Sequence, residues 1–337
     1  MSYNMNFKKI PRIMTSQELI DMAFSRSIKE TKKKLSYLKG NRLNNARKIE
    51  QKKLEIASKE SRQYLDTILK KTPSFTSLPD FYYELISLTI DIDKTRKALG
   101  ALKWASERIG SLEGYYRGKI KASQTKEEFK KKRREFFGRL ASVLRQIDGE
   151  LEYLQVMKGK LKNLPIFKEE FTVVIAGAPN AGKSSLLKAI TGASPKIEGY
   201  PFTTQKLLLG YMLDGVREYQ IVDTPGLLDR NIEEMNPVER QAILALGNLA
   251  DIIIFVYDPS ETCGFSKSSQ FDILENIQKN FNSNVLVMLS KADLLEKDEI
   301  NEIVKFFHDK IYICSVKDNY GIDKIKEYII TEAKRII

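Results

Sequence analysis

The most constraining feature of the sequence is the octapeptide Gly177-Ala178-Pro179-Asn180-Ala181-Gly182-Lys183-Ser184, which fits the pattern GxxxxGK[ST]. It separates an apolar run that predicts a strand, 171–177, from a stretch with helical character, 183–190. Small residues let backbone N–H groups surround an anion, and the helix that follows adds partial positive charge at its N-terminus. A strand, a phosphate-binding loop and a helix in this order predict an α/β fold.

The remainder of the C-terminal half supports this prediction. Short apolar runs rich in β-branched residues alternate there with helix-like stretches, which is typical of a sheet covered by helices on both faces. The runs are 171–177, 206–213, 219–222, 251–257, 284–289 and 311–314. Together they predict a mainly parallel six-stranded sheet within a domain that spans residues 166–337.

The N-terminal half shows only helical periodicity. Thr15 with Glu18, and Thr125 with Glu128, have the spacing of capping boxes at helix starts. Apolar residues recur at intervals of three, four or seven from 129 to 154, which predicts one helix of roughly 25 residues. The pattern stops at Leu164-Pro165. We therefore expect a helical bundle over residues 1–165.

Charge divides the chain at nearly the same place. Residues 1–170 hold 38 Lys and Arg against 21 Asp and Glu, whereas residues 171–337 hold 18 against 23. Cations cluster at 32–34, 52–53 and 130–134. A basic domain of this kind predicts contact with the phosphates of RNA, the alternative being an ordinary solvated helix surface. Five aromatic residues are expected to pack rather than stack on bases: Trp104, Tyr115, Tyr116, Phe136 and Phe137.

Several other classes of protein are disfavoured. The sequence contains neither an apolar run of 18 residues nor a signal-peptide pattern, so we expect no membrane span and no secretion. Cys263 and Cys314 are the only cysteines, which argues against a disulfide framework and for a reducing, cytoplasmic compartment. The one histidine, His308, is expected on a helix surface without a catalytic role.

Within the loop and the next acidic turn, individual roles can be predicted. Lys183 is expected to reach the β- and γ-phosphates, and Ser184 to bind Mg²⁺, with Ser185 beside it. Asp223-Thr224-Pro225-Gly226 follows the run 219–222. Asp223 is placed to hold Mg²⁺, and the N–H of Gly226 to approach a γ-phosphate.

Two further tripeptides predict which base is bound. Lys291-Ala292-Asp293 follows the run 284–289, and Ser315-Val316-Lys317 follows the run 311–314. The carboxylate of Asp293 can accept from N1–H and the 2-amino group of guanine, whereas adenine offers neither donor. The stem of Lys291 would cover the base, and 315–317 could donate a backbone N–H to guanine O6. The order of these motifs along the chain predicts that GTP and GDP are the bound nucleotides. The alternative is an ATP-binding protein with the same phosphate-binding loop.

At this point a family resemblance is apparent. Tyr200-Pro201-Phe202-Thr203-Thr204 resembles switch I of Obg-related GTPases, and 258–266 resembles the segment after the fourth strand in nucleolar GTP-binding proteins of the Nog type. The resemblance implies a Ras-like P-loop GTPase domain of the Obg type, preceded by a helical domain. It also implies that Thr204, next to Thr203, coordinates Mg²⁺ when a γ-phosphate is present. The residues implied in hydrolysis are Lys183, Thr204 and Gly226.

The same resemblance implies a biological setting. The family works in assembly of the large ribosomal subunit, so ribosomal RNA and pre-ribosomal particles are the implied partners, without DNA or a membrane. We expect a monomer when the protein is free, located in the cytoplasm, or in the nucleolus where the source has a nucleus. Two alternatives remain open: a GTP-sensing RNA-binding scaffold that hardly turns over, and a GTPase at another RNA or membrane surface.

Three positions bear on affinity and hydrolysis. Ser290 stands where the family has an Asn that braces the base-binding loop, and its shorter side chain predicts a weaker brace. Leu227 and Leu228 occupy the place of the water-orienting glutamine of Ras-like enzymes, which predicts slow intrinsic turnover. Asn180 is a candidate K⁺ ligand, as in resembling GTPases; the alternative is that an Asn suits a turn with positive φ.

Overall fold

The structure is a computed structural model that describes residues 7–34, 41–75, 78–162, 164–168, 170–200, 206–229, 232, 235–307 and 311–336. The helices are α1 (Ser16–Lys34), α2 (Arg42–Lys71), α3 (Asp80–Thr89), α4 (Ile92–Ala122), α5 (Lys126–Gln146), α6 (Asp148–Leu161), α7 (Lys183–Thr191), α8 (Pro237–Leu249), α9 (Lys267–Asn280), α10 (Lys297–Phe306) and α11 (Ile322–Ile336). The strands are β1 (Thr172–Ala176), β2 (Lys196–Gly199), β3 (Lys206–Asp214), β4 (Arg217–Asp223), β5 (Ile252–Tyr257), β6 (Asn284–Leu289) and β7 (Tyr312–Ile313).

The chain divides into two compact units. The helical unit comprises the described parts of residues 5–76 and 90–162, and contains α1, α2, α4, α5 and α6. The sheet unit comprises the described parts of residues 77–89 and 163–337. A helical bundle followed by a mainly parallel α/β domain was predicted from the sequence, and this order is confirmed.

Helix α3 does not belong to the unit in which the sequence placed it. It lies within residues 1–165 but packs against α8 of the sheet unit. Phe81 and Leu85 are buried there, and the hydroxyl of Tyr82 accepts a hydrogen bond of 2.7 Å from the N–H of Phe167. The apolar face of α3 is therefore satisfied by residues far away in sequence, which local periodicity cannot reveal.

In the helical unit, two helix starts agree with the sequence prediction, but one predicted helix is divided into two. Both capping boxes form, at Thr15 and at Thr125. The stripe from 129 to 154 was predicted as a single helix, and this is wrong, because Ile147 leaves helical geometry and α6 starts anew at Asp148. The carboxylate of Asp148 accepts a hydrogen bond of 2.9 Å from the N–H of Ser16, which fixes the break.

The sheet of the second unit has the strand order β2-β3-β4-β1-β5-β6-β7. Strands β4, β1, β5, β6 and β7 run parallel, and β3 is antiparallel to both of its neighbours. Six strands were predicted, and β2 was missed because its residues are mostly polar and exposed at the sheet edge. Strand β1 lies between β4 and β5, with β2, β3 and β4 on one side of it and β5, β6 and β7 on the other, so the loop after β1 lies at a switch point of the topology.

Candidate functional site

Five loops lie along one edge of the sheet. They follow β1, β4, β5, β6 and β7, which are adjacent and parallel, so their carboxyl ends point the same way. Four of the predicted motifs lie in these loops or directly beside them: 177–184, 223–226, 291–293 and 315–317. This edge is where open parallel sheets bind their ligands.

The loop after β1 has the backbone that a phosphate-binding loop needs. Gly177 has a φ of 136°, and a Cβ at this position would lie 2.4 Å from the carbonyl oxygen of Val256 in the neighbouring strand. Asn180 and Gly182 also have positive φ values, 58° and 109°. The glycine at 177 therefore permits close approach of the loop to β5, and Asn180 adopts the left-handed conformation that this residue tolerates.

Lys183 opens α7 and bends back over this loop. The residue is buried, at 6 % relative exposure, and Nζ donates to the carbonyl oxygens of Gly177 and Ala178 at 2.8 Å each. Burial lowers the pKa of Lys183, and the charges of Asp223 and Asp229 oppose that shift. A largely desolvated ammonium in a loop of backbone amides is suited to attract phosphate oxygens.

Ser184 and Asp223 form the candidate metal position. The hydroxyl of Ser184 donates to Oδ2 of Asp223 at 2.5 Å, while Oδ1 of this buried carboxylate has no hydrogen-bond partner among the described residues. Burial raises the pKa of Asp223, against the lowering effects of Ser184 and Lys183. An unsatisfied carboxylate oxygen beside a hydroxyl matches the hard oxygen ligands that Mg²⁺ prefers, so these residues fit the ion.

A cavity of about 420 Å³ lies over this part of the edge, lined among others by Asn180, Lys183, Ser184, Ser185 and Gly226. The cavity thus brings together residues from the loop after β1 and the loop after β4. Sequence reasoning placed each of these five residues at a phosphate site.

The loop after β4 turns at Gly226, whose φ is 73°. Its N–H, predicted to approach a γ-phosphate, donates at 2.9 Å to Oδ2 of Asp229, a further residue lining the cavity. Leu227 and Leu228 are buried, so neither side chain faces the cavity in the place of a water-orienting glutamine. Asp229 was missed by sequence reasoning, because nothing in its spacing marks an acid three residues after the glycine.

The loop after β6 is tied directly to the loop after β1. The hydroxyl of Ser290 lies 2.7 Å from the carbonyl oxygen of Ala181 and 3.2 Å from that of Tyr257. The sequence predicts a weaker brace from the shorter side chain, yet the serine does reach the phosphate-binding loop. The close approach of the two loops, with Gly182 next to Ser290, makes this possible.

The residues predicted to recognise the base also come together. Oδ1 of Asp293 accepts from the hydroxyl of Ser315 at 2.8 Å, and Nζ of Lys317 lies 3.7 Å from Oδ2. The hydrogen bond from Ser315 lowers the pKa of Asp293, so the group is a carboxylate at neutral pH. The tripeptides 291–293 and 315–317 therefore present one ionised acceptor at the end of β6.

Asp258 is a second acid that sequence reasoning assigned no role. It is fully buried at the end of β5 and forms an ion pair of 2.7 Å with Nζ of Lys291. Burial raises its pKa, but hydrogen bonds from Lys291 and Ser260 outweigh that effect and hold the pKa of Asp258 below its ordinary value. An acid that directly follows a fully apolar strand is the sequence signal that could have identified it.

Some predicted residues lie outside the described part of the chain. Thr203 and Thr204 fall in 201–205, and His308 falls in 308–310. Tyr200, which immediately precedes the first of these segments, is buried, and its hydroxyl donates to the carbonyl oxygen of Ala242 in α8 at 2.5 Å. The start of the predicted switch I is thus anchored to the helix that follows the Gly226 loop.

The helical unit is strongly basic when its observed bounds are used. Residues 5–76 and 90–162 hold 37 Lys and Arg against 17 Asp and Glu, a net charge of +20. Phe136 and Tyr116 are buried as predicted, but Trp104 and Tyr115 are not, being 44 % and 58 % exposed. Both residues lie on the solvent-facing side of the long α4 helix, and only the opposite face of α4 packs into the bundle core.

No helix in the described part of the chain is both long enough and apolar enough to cross a bilayer.

A family model described as the NOG1 N-terminal helical domain matches residues 7–167, and one described as a 50S ribosome-binding GTPase matches residues 172–291. A solved structure of nucleolar GTP-binding protein 1 from Plasmodium falciparum has a TM-score of 0.44 and 29% identity, covering 51% of this chain and 90% of that one.

Curated relatives match over most of the chain. An uncharacterized protein of Methanocaldococcus jannaschii is 41% identical over 87% of this chain and 83% of its own length. Nucleolar GTP-binding protein 1 is 30% identical in Encephalitozoon cuniculi and 29% in Drosophila melanogaster, each over 95% of this chain. The chain spans 61% and 50% of the lengths of those two proteins. With both domain models matched in order, the chain belongs to the Nog-type family of nucleolar GTP-binding proteins, which are P-loop GTPases.

Proposed function

We propose that this chain is a GTP-hydrolysing switch in assembly of the large ribosomal subunit, and that its helical unit contacts ribosomal RNA. The observation that carries the nucleotide part is the single sheet edge that joins Lys183, Asp223 and Asp293, with the hydroxyl of Ser290 linking two of its loops. The ribosomal part is supported by the family model described as a 50S ribosome-binding GTPase and by the net charge of +20.

Each part of the nucleotide would contact a different group of residues. The backbone and side chains of 177–185 would bind the phosphates, with Lys183 at the terminal ones. Ser184 and Asp223 would hold Mg²⁺, which neutralises phosphate charge, together with Thr204 and its neighbour Thr203. Asp293 would accept from guanine, with Lys291 and 315–317 around the base.

Hydrolysis by these residues alone should be slow. Leu227 and Leu228 are buried, so the loop after Gly226 presents no side chain in the place of a water-orienting glutamine. K⁺ at Asn180 would add positive charge beside the phosphates, although the positive φ of Asn180 is by itself sufficient reason for an asparagine. Turnover measured in KCl and in NaCl at equal ionic strength separates these explanations, since only a K⁺ site predicts a faster rate in KCl.

Nucleotide selectivity and turnover test the enzymatic part. Purified protein with Mg²⁺ should bind GDP and GTP, reject ATP, and release phosphate from GTP in single-turnover assays. Lys183→Ala should abolish both binding and release, with circular dichroism establishing that the variant is folded. Equal affinity for ATP and GTP would refute the proposal, and tight GTP binding without any phosphate release would favour the scaffold alternative.

Sedimentation with ribosomal subunits tests the cellular part. The full chain, loaded with GDP or with a non-hydrolysable GTP analogue, should migrate with large-subunit material in one of the two states. Its binding should weaken steeply with salt, because Lys and Arg that neutralise phosphates release counterions. Migration with neither subunit in either state would refute the ribosomal role and leave the nucleotide chemistry intact.

A further inference from the structure

An acidic side chain lies inside the cavity that the proposed function assigns to phosphates. Oδ2 of Asp229 accepts the N–H of Gly226 at 2.9 Å, and Asp229 lines the same cavity of about 420 Å³ as Lys183 and Ser184. A carboxylate oxygen and a phosphate oxygen are the same kind of acceptor for a backbone N–H. Asp229 therefore makes the hydrogen bond that is proposed for the γ-phosphate.

The sequence of the loop explains why Asp229 faces the cavity. Leu227 and Leu228 are both buried, and the N–H of Leu227 donates to the carbonyl oxygen of Thr224 at 3.2 Å, which closes a tight turn. Gly226 permits this turn through its φ of 73°. Because Leu227 and Leu228 both pack inward, the chain reverses direction, and the carboxylate of Asp229 reaches the N–H of Gly226.

The charge of Asp229 is felt by the residues proposed to bind phosphate and metal. It opposes the lowering of the pKa of Lys183, and it contributes to the raised pKa of Asp223. Asp229 is thus near enough to interact with both groups electrostatically. A terminal phosphate drawn to Lys183 would meet this negative charge as well as the occupied N–H of Gly226.

We propose that Asp229 competes with the γ-phosphate of GTP for the N–H of Gly226, and thereby determines the relative affinity for GTP and GDP. This inference rests on the proposed function, because it takes the cavity to be the phosphate site. One N–H cannot make two full hydrogen bonds, so GTP must displace the carboxylate. GDP has no γ-phosphate and leaves the bond between Gly226 and Asp229 in place.

The competition has a measurable consequence. Without the carboxylate, GTP would gain the N–H of Gly226 with no bond to break and no adjacent negative charge. We expect Asp229→Ala to raise the affinity for a non-hydrolysable GTP analogue about tenfold, which corresponds to about 1.4 kcal/mol. Asp229→Asn should raise it less, because the amide oxygen still accepts a hydrogen bond but carries no charge. The affinity for GDP should change less than about twofold in both variants.

The experiment compares dissociation constants of GDP and of the GTP analogue, with Mg²⁺, for the wild type, Asp229→Ala and Asp229→Asn. Asp272→Asn is the matched control, since it removes one exposed carboxylate from α9 in the same unit. It should leave both constants unchanged. Circular dichroism melting establishes that each variant is folded, and the near-isosteric Asp229→Asn keeps the comparison available if the alanine variant does not fold.

The results separate this inference from the function on which it rests. An unchanged ratio of the two constants in both Asp229 variants would overturn the competition while guanine nucleotide binding still stood. A lower affinity for the GTP analogue would also overturn it, since Asp229 would then support the triphosphate state. A wild-type protein that binds neither nucleotide would instead remove the proposed function itself.

Discussion

Removal of one hydroxyl group tests whether the two nucleotide-binding loops are held in register by Ser290. Its Oγ lies 2.7 Å from the carbonyl oxygen of Ala181 in the phosphate-binding loop, and both residues are buried. Ser290→Ala deletes this bond without adding volume. The backbone bond from Ser290 N–H to the carbonyl of Tyr257, 2.8 Å, remains and should keep the end of β6 in place.

The size of the effect follows from burial. A neutral hydrogen bond contributes about 0.5–1.5 kcal/mol, and a buried carbonyl left without its partner increases the loss to about 1–3 kcal/mol. If about 1–2 kcal/mol of this appears as misplacement of the loops, the affinity for guanine nucleotides falls about 5- to 30-fold. The preference for guanine over adenine should persist, because the acceptor at Asp293 is unaffected.

A matched control separates this brace from general stability. Ser283 also lies within hydrogen-bond distance of two carbonyl oxygens, those of Ala250 at 2.8 Å and Gly247 at 3.2 Å, and neither belongs to a predicted nucleotide loop. Titration with a fluorescent guanine nucleotide should show weaker binding for Ser290→Ala and unchanged binding for Ser283→Ala. If both substitutions lower the melting temperature by the same amount and neither weakens nucleotide binding, Ser290 does not couple the loops.

Three further predictions address the base, the helical unit and α3. Asp293→Asn should weaken guanine binding about 10- to 100-fold and favour xanthine nucleotides, since an amide offers one donor and one acceptor. Competition assays with guanine and xanthine nucleotides measure the two affinities. Hydrogen bonds from Ser16 hold the pKa of Asp148 below its ordinary value. That stabilisation is present above pH 3.8 and is lost as pH falls through the lower folded pKa, so Asp148→Asn should lower the melting temperature at pH 7 and match the wild type in strong acid. Tyr82→Phe leaves the N–H of Phe167 unpaired, and denaturant unfolding should show a loss of about 1–3 kcal/mol.

The features that the sequence predicts well are those set by neighbouring residues. The capping box at Thr125 depends on a residue three positions away, and the phosphate-binding loop depends on eight consecutive residues. Once several such loops follow parallel strands, the topology alone brings them to one edge. This is why Lys183, Asp223 and Asp293 could be assigned to one site before their distances were known.

The features that the sequence misses depend on partners far along the chain. Asp148 is 132 residues from Ser16, and Tyr82 is 85 residues from Phe167, so neither the helix break nor the position of α3 leaves a local pattern. Asp229 was missed for another reason. A polar residue after two apolar ones is common in surface turns, and only the folded loop shows that this acid turns back to Gly226.

Helix α8 connects these unexpected features. The first residue of the predicted switch I, Tyr200, donates to the carbonyl oxygen of Ala242 in α8, and the loop of Gly226 leads into the same helix. On another side α3 packs against α8, where Asn248 donates to Glu84 at 3.0 Å. Tyr200 and α3 thus both contact α8 within the same unit, so any displacement of α8 would act directly on the start of the predicted switch I and on α3.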